Sequence, residues 1–182
     1  MPTEVIDVID TAVKIGLGGI ITGITTYAIT SKNHKNEKNK YLLEHKYKTL
    51  ESCAEKMDEF FDAWMGLLTK VGGISRHMEN EGKEYTDISQ KRWDSIKEKD
   101  AALVESWGSK NYAISRFRIL GAENIVEEIK KANTPHQSLR DKVIFGKAVL
   151  SHDEFKEYRT ELNKIKKDVH SAISTFYGDI SA

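Results

Sequence analysis

Chemistry in a small helical protein needs ionisable or nucleophilic side chains gathered on one face, and this chain offers few such gatherings. Its six histidines come first. Helical bundles build di-iron centres from Glu-x-x-His pairs on two helices, and no histidine here has a glutamate three residues before it. The chain also lacks HExxH, a cysteine pair for zinc, GxxxxGK[ST] and GxSxG. His152-Asp153-Glu154 is the densest cluster that suggests acid–base work. Acidic residues at a helix start are favoured by the helix dipole alone, so capping is the reading there. Arg76, His77 and Glu79 form a second group with the atoms to hold a metal or a partner. Cys53, the single cysteine, falls in an apolar column, where a thiol is buried and inert. Asp100 interrupts the apolar row between Ile96 and Leu103. A carboxylate buried there needs Arg116, Arg118 or a histidine beside it, whereas a rotation to the rim leaves it solvated. No catalysis, cofactor or metal is expected from these residues.

The elements that must position such groups read as helices throughout. Charged residues make up 31% of the 182-residue chain, and it has two prolines. The one long uncharged run is Ile15 to Ser31, IGLGGIITGITTYAITS. As a helix it extends about 25 Å, against roughly 30 Å of bilayer hydrocarbon, with Lys14 and Lys32 able to snorkel at its ends. Gly16, Gly19, Gly23 and Thr26 share one face, and Gly19-x-x-x-Gly23 is a small-xxx-small packing motif. The run is therefore expected to cross a membrane as a single helix. A glycine-rich helix buried in an assembly is the competing reading.

Charge then sets the expected topology. Lysines and arginines balance aspartates and glutamates at a net charge of zero, which argues against a nucleic-acid binder. Residues 32–48 are nevertheless lysine-rich, with Lys32, Lys35, Lys38 and Lys40 just after the run. The positive-inside rule would keep them cytoplasmic, placing the N-terminus outside. Anionic lipid is a further expected contact for these lysines.

From Leu43 a heptad begins: Leu43, Tyr47, Leu50, Ala54, Met57, Phe61, Trp64, Leu68 and Val71 step by four and three. From Cys53 a third column joins through Phe60, Leu67 and Ile74, turning a narrow seam into the broad face of a bundle helix. Gly72-Gly73 should end this helix, and residues 75–86 should form a loop. Asp87 with Gln90 predicts a capped second helix, broken or bent at Gly108-Ser109 and running to Gly121. A short helix over Ala122–Ala132, a restart at Thr134-Pro135, and a last helix from Ser151 to Gly178 complete the pattern.

The sequence thus predicts an all-α protein: a single N-terminal transmembrane helix, a long heptad-patterned helix, and a cytoplasmic helical bundle of about four main helices. Residues 1–33 form the tail and anchor. Residues 34–182 form the bundle domain, with 34–52 as a membrane-proximal stalk. The expected function is a membrane-anchored interaction or assembly component, single-pass, self-associating through Gly16, Gly19, Gly23, Thr26, Leu43, Tyr47 and Leu50. Its expected partners are the lipid bilayer, a second copy and an unidentified protein, with no nucleic acid. The first alternative is an oligomeric membrane effector whose Thr22, Thr25, Thr26 and Thr30 edge an ion path. The second is a soluble helical protein whose glycine-rich N-terminal helix is buried in an assembly.

Overall fold

The computed structural model describes the backbone of residues 2–82 and 88–181, and the side chains of Thr26, Ile29, Thr30, Lys32, 36–82 and 88–180. Among the described residues every regular element is helical: α1 (Pro2–Asn80), α2 (Gln90–Ile119), α3 (Glu123–Lys130), α4 (Asn133–Arg140), a π-helical turn (Asp141–Phe145) and α5 (His152–Ser181). The chain divides into two compact units, Met1–His45 and Lys46–Ala182.

The membrane reading is overturned. No helix among the described residues is long and apolar enough to cross a membrane. The run Ile15–Ser31 is not an element of its own but part of α1. Eight of its seventeen residues are Gly or Thr, and charges at Lys14 and Lys32 close it short of a bilayer's hydrocarbon thickness. With the anchor go the lipid bilayer as partner, the single-pass membrane location with its N-out orientation, and the threonine-lined ion path. Gly16, Gly19 and Gly23 lie outside the residues whose side chains are described, as does Lys35. In the first unit every described side chain is exposed, including Thr26, Ile29, Lys32, Lys38, Lys40 and Leu43.

The second unit is built on the three apolar columns of α1. Leu50, Met57, Phe61, Trp64, Leu68 and Val71 are buried, and so are Cys53, Phe60, Leu67 and Ile74. Ile96, Leu103, Ala113 and Phe117 of α2 join the same core, with Ile125, Val126 and Ile129 of α3, Leu139 of α4, and Leu162, Ile165, Val169 and Ile173 of α5. Leu50, expected at an intermolecular seam, is 1% exposed within the chain's own core. Tyr47 stacks at 4.8 Å on Tyr177 of α5. Both residues therefore belong to the bundle.

Element ends follow local chemistry, with several shifts from expectation. Asp87 lies outside the described residues, and α2 starts at Gln90 with Ser89 before it. The helix runs through Gly108 unbroken. It closes at Gly121, whose φ of 78° suits glycine. There the Gly121 N–H bonds the Arg118 carbonyl and the Ala122 N–H bonds the Phe117 carbonyl, the pairing that satisfies a helix's last carbonyls. At the start of α5 the expected capping box forms. Glu154 Oε2 accepts the Ser151 N–H at 2.9 Å, while Ser151 Oγ accepts the Glu154 N–H at 3.3 Å. Gly178 lies inside α5 rather than closing it.

Gly72 and Gly73 do not end α1, which continues to Asn80. A Cβ on Gly72 would overlap the ring of Phe155, in the first turn of α5, whereas a Cβ on Gly73 meets nothing. Gly72 is thus a notch for an aromatic ring in a helix that would otherwise exclude it. The two glycines should respond oppositely to alanine in denaturant melts of the whole chain. Gly73→Ala should gain about 0.5–1 kcal/mol of helix propensity. Gly72→Ala must push the Phe155 ring out and should lose about 1 kcal/mol or more. Equal effects would mean the notch is unimportant.

Candidate functional site

The apolar row of α2 carries two charges, Asp100 and Lys110, and both are buried at 8% and 7% exposure. Each has found a different solution. Asp100 takes Arg140, at the end of α4, in a two-pronged pair: Nε donates to Oδ1 at 2.6 Å and Nη2 to Oδ2 at 3.0 Å. This fork is the strong geometry for guanidinium and carboxylate. The Arg140 guanidinium also lies 5.0 Å from the Trp107 ring centre and 5.5 Å from that of Phe145. Hydrogen bonding from the guanidinium to Asp100 raises the Arg140 pKa further above its ordinary value. The partners expected for Asp100, Arg116 and Arg118, are exposed instead.

Among the described residues, no carboxylate pairs with Lys110. Its ammonium donates to Asn133 Oδ1 at 2.9 Å and sits 5.1 Å from the Phe60 ring centre. Loss of solvation lowers its pKa. Beside it stands His136, 5% exposed, whose Nδ1 is 2.7 Å from the Ala132 carbonyl oxygen. A carbonyl only accepts, so Nδ1 carries the proton and neutral His136 keeps a lone pair on Nε2. Three aromatic rings meet the imidazole edge-to-face: Phe60 and Trp64 at 6.0 Å and Trp107 at 5.8 Å. Burial holds the His136 pKa below the ordinary 6.5, helped by the nearby charges of Lys110 and Arg140 and opposed by the bond to Ala132.

A cleft of about 350 Å³ opens over this cluster, lined by Trp107, Lys110 and Asn111 of α2 and by Asn133, His136 and Gln137 of α4. The indole N–H groups of Trp64 and Trp107 are both buried without a hydrogen-bond partner. Such an orphaned donor carries its full desolvation cost. The π-helical turn follows directly, and insertions of this kind are frequent at functional sites. Gly146 closes it with an N–H bond to the Asp141 carbonyl at 2.8 Å. The cluster therefore has the parts to bind and orient a small polar group: an ammonium, an indole donor, amides and an imidazole lone pair.

The residues expected to carry chemistry lie elsewhere. His152 and Asp153 are exposed, and Glu154 caps α5 while pairing with Lys142. Hydrogen bonding from Lys142 and from the Ser151 backbone holds the Glu154 carboxyl below the usual range. Arg76, His77 and Glu79 belong to α1 rather than a loop, and His77 pairs with Glu81 at 2.9 Å. Burial pushes the Cys53 thiol up to about 11, which removes the thiolate at neutral pH. Among the described residues, no group of three His, Cys, Asp or Glu side chains gathers to hold a metal. Lys110, His136 and Arg140 were not singled out from the sequence. For Lys110 the signal was present: Leu103, Trp107, Lys110, Ile114 and Phe117 continue the row that made Asp100 conspicuous.

No protein-family model, curated protein or solved structure matches this chain.

Two outcomes follow from the cluster. Asp100→Ala strands a guanidinium that is 11% exposed and should cost about 3–5 kcal/mol in urea melts, whereas Asp100→Leu with Arg140→Met should recover most of that loss. The second outcome concerns acid. His136 binds its proton less readily folded than unfolded, so its contribution is complete above pH 6.5 and drains away as pH falls from there towards its lower folded pKa. The melting temperature should drop across this window, and His136→Gln should flatten the drop. An unchanged slope in that variant would mean another group governs it.

Proposed function

We propose that this chain is an assembly protein without catalysis of its own, joining a second copy of itself through the α1 residues of the first unit. One observation carries the reading. Ile29, Asn36, Leu43 and Leu50 stand at successive heptad steps, yet Leu50 is 1% exposed while Leu43 is 37% and Ile29 56% exposed. The apolar column thus runs on past the point where the chain's own bundle covers it. Tyr41 and Leu42, at 67% and 48% exposure, add apolar area beside it.

A lone helix is marginal in water and gains its stability from packing on another. The same column on a second copy supplies that surface in a symmetric arrangement, residue against equivalent residue. Asn36 in the middle suits such a seam, because a single polar residue at a core position fixes register at some cost in stability. The glycine face of Gly16, Gly19 and Gly23 continues the packing reading by sequence alone. Exposed Lys32, Lys38 and Lys40 would lie near their counterparts, so association should tighten as salt screens them.

Sedimentation velocity of the full chain in aqueous buffer tests this directly. Wild type should sediment as a dimer or larger species, more so at high salt. Ile29→Glu and Leu43→Glu, at exposed positions, should each weaken association about tenfold or more while leaving the thermal melt of the bundle unchanged. A wild-type monomer at tens of micromolar, or association indifferent to both substitutions, would sink the reading.

A further inference from the structure

We propose that the cleft between α2 and α4, over Trp107, Lys110 and His136, is a binding site for a small carboxylate. The inference is independent of self-association, because every residue it uses lies in the second unit. Two donor groups on one face of α2 are left with hydrogens to give. Lys110 is 7% exposed, and of the three hydrogens on its ammonium one is taken by Asn133 Oδ1. No carboxylate pairs with it among the described residues, and burying an unpaired ammonium is costly. Trp107 stands three residues earlier, one helical turn away, and its buried indole N–H has no partner. Both residues line the same cleft.

A carboxylate suits this arrangement. It is acceptor-only and carries two oxygens: one takes a remaining hydrogen of the Lys110 ammonium, and the other reaches the Trp107 N–H once the indole turns towards the cleft. The amides of Asn111 and Gln137 at the rim leave room for a short polar tail. Phosphate fits less well. Its extra charge calls for a second cation, and the charge of the neighbouring guanidinium, Arg140, is already paired with Asp100. The lone pair left on His136 Nε2 also repels added negative charge, while it accepts a hydroxyl from a hydroxy acid. At about 350 Å³ the cleft is at the small end of ligand sites, which excludes long acyl chains.

The test is a titration of the full chain at neutral pH and constant ionic strength, balanced with chloride. Sodium acetate and sodium glycolate are the probes, with sodium phosphate as the competing arm. The indole N–H resonance of Trp107, identified through Trp107→Phe, reports occupancy. Acetate or glycolate should shift it saturably with a millimolar dissociation constant. Lys110→Met, which keeps the stem and removes the charge, should weaken binding about tenfold or more, whereas Lys110→Arg should retain most of it. Trp107→Phe, followed by the melting temperature at saturating acetate, should lose part of the ligand-induced stabilisation. Should Lys110→Met fail to fold, the Lys110→Arg and Trp107→Phe arms still decide. The proposal is overturned if no saturation is reached by about 100 mM, if Lys110→Met binds as wild type does, or if phosphate binds more tightly than either carboxylate.

Discussion

The broad apolar face of α1, from Leu50 to Met78, must be kept from water, and the rest of the second unit is arranged to do so. Three columns of Leu, Met, Phe and Trp side chains are more than one neighbouring helix can cover. Two long helices and two short ones share the task, each contributing a stripe of buried residues to one core. The short helices α3 and α4 are too brief to be stable alone. They persist because Ile125, Val126, Ile129 and Leu139 are committed to that core. Surface ties are secondary: Lys166 reaches Asp58 and Asp62 across α5 and α1, and His170 meets Asp58, all in partly exposed settings worth little each.

Against that background the polar interior of α2 and α4 stands out. Well-packed apolar residues of similar volume can often replace a buried ion pair with no loss of stability. Here the row of α2 keeps an aspartate and a lysine, and α4 places a histidine against three aromatic rings. The aspartate is fully answered by Arg140, but the lysine is answered by an amide and a ring face. That inequality separates a structural ion pair from a group with binding capacity to spare.

Much of the fold was legible in the sequence because the pattern that forms helices is local. The stepping of apolar residues in α1 and α5 needs only the chain's own order, and the Ser151–Glu154 box is a four-residue device. Where meaning depended on distant residues, the letters misled. Gly72-Gly73 reads as a stop in one dimension, yet its first glycine is a seat for Phe155, far along the chain. The uncharged run near the N-terminus reads as a span when its hydropathy is considered alone, although its length and its Gly and Thr content fall short of one. Asp100 was conspicuous, but its partner stands forty residues on and at the end of another helix. Lys110 was overlooked since its long apolar stem lets a lysine sit at the rim of a core without disturbing the pattern.

The fork between Asp100 and Arg140 also has a mechanical meaning. Rotating α4 or sliding it along α2 would strain both charge-assisted bonds and would lift a planar guanidinium off the Trp107 ring. The fork thus ties the end of α4 to α2 beside the cleft. At the rim stand exposed Asn111 and Gln137, and the Gln137 amide donates to Asp141 Oδ1 at 2.8 Å. Exposed side chains change rotamer in pico- to nanoseconds, far faster than helices shift against one another.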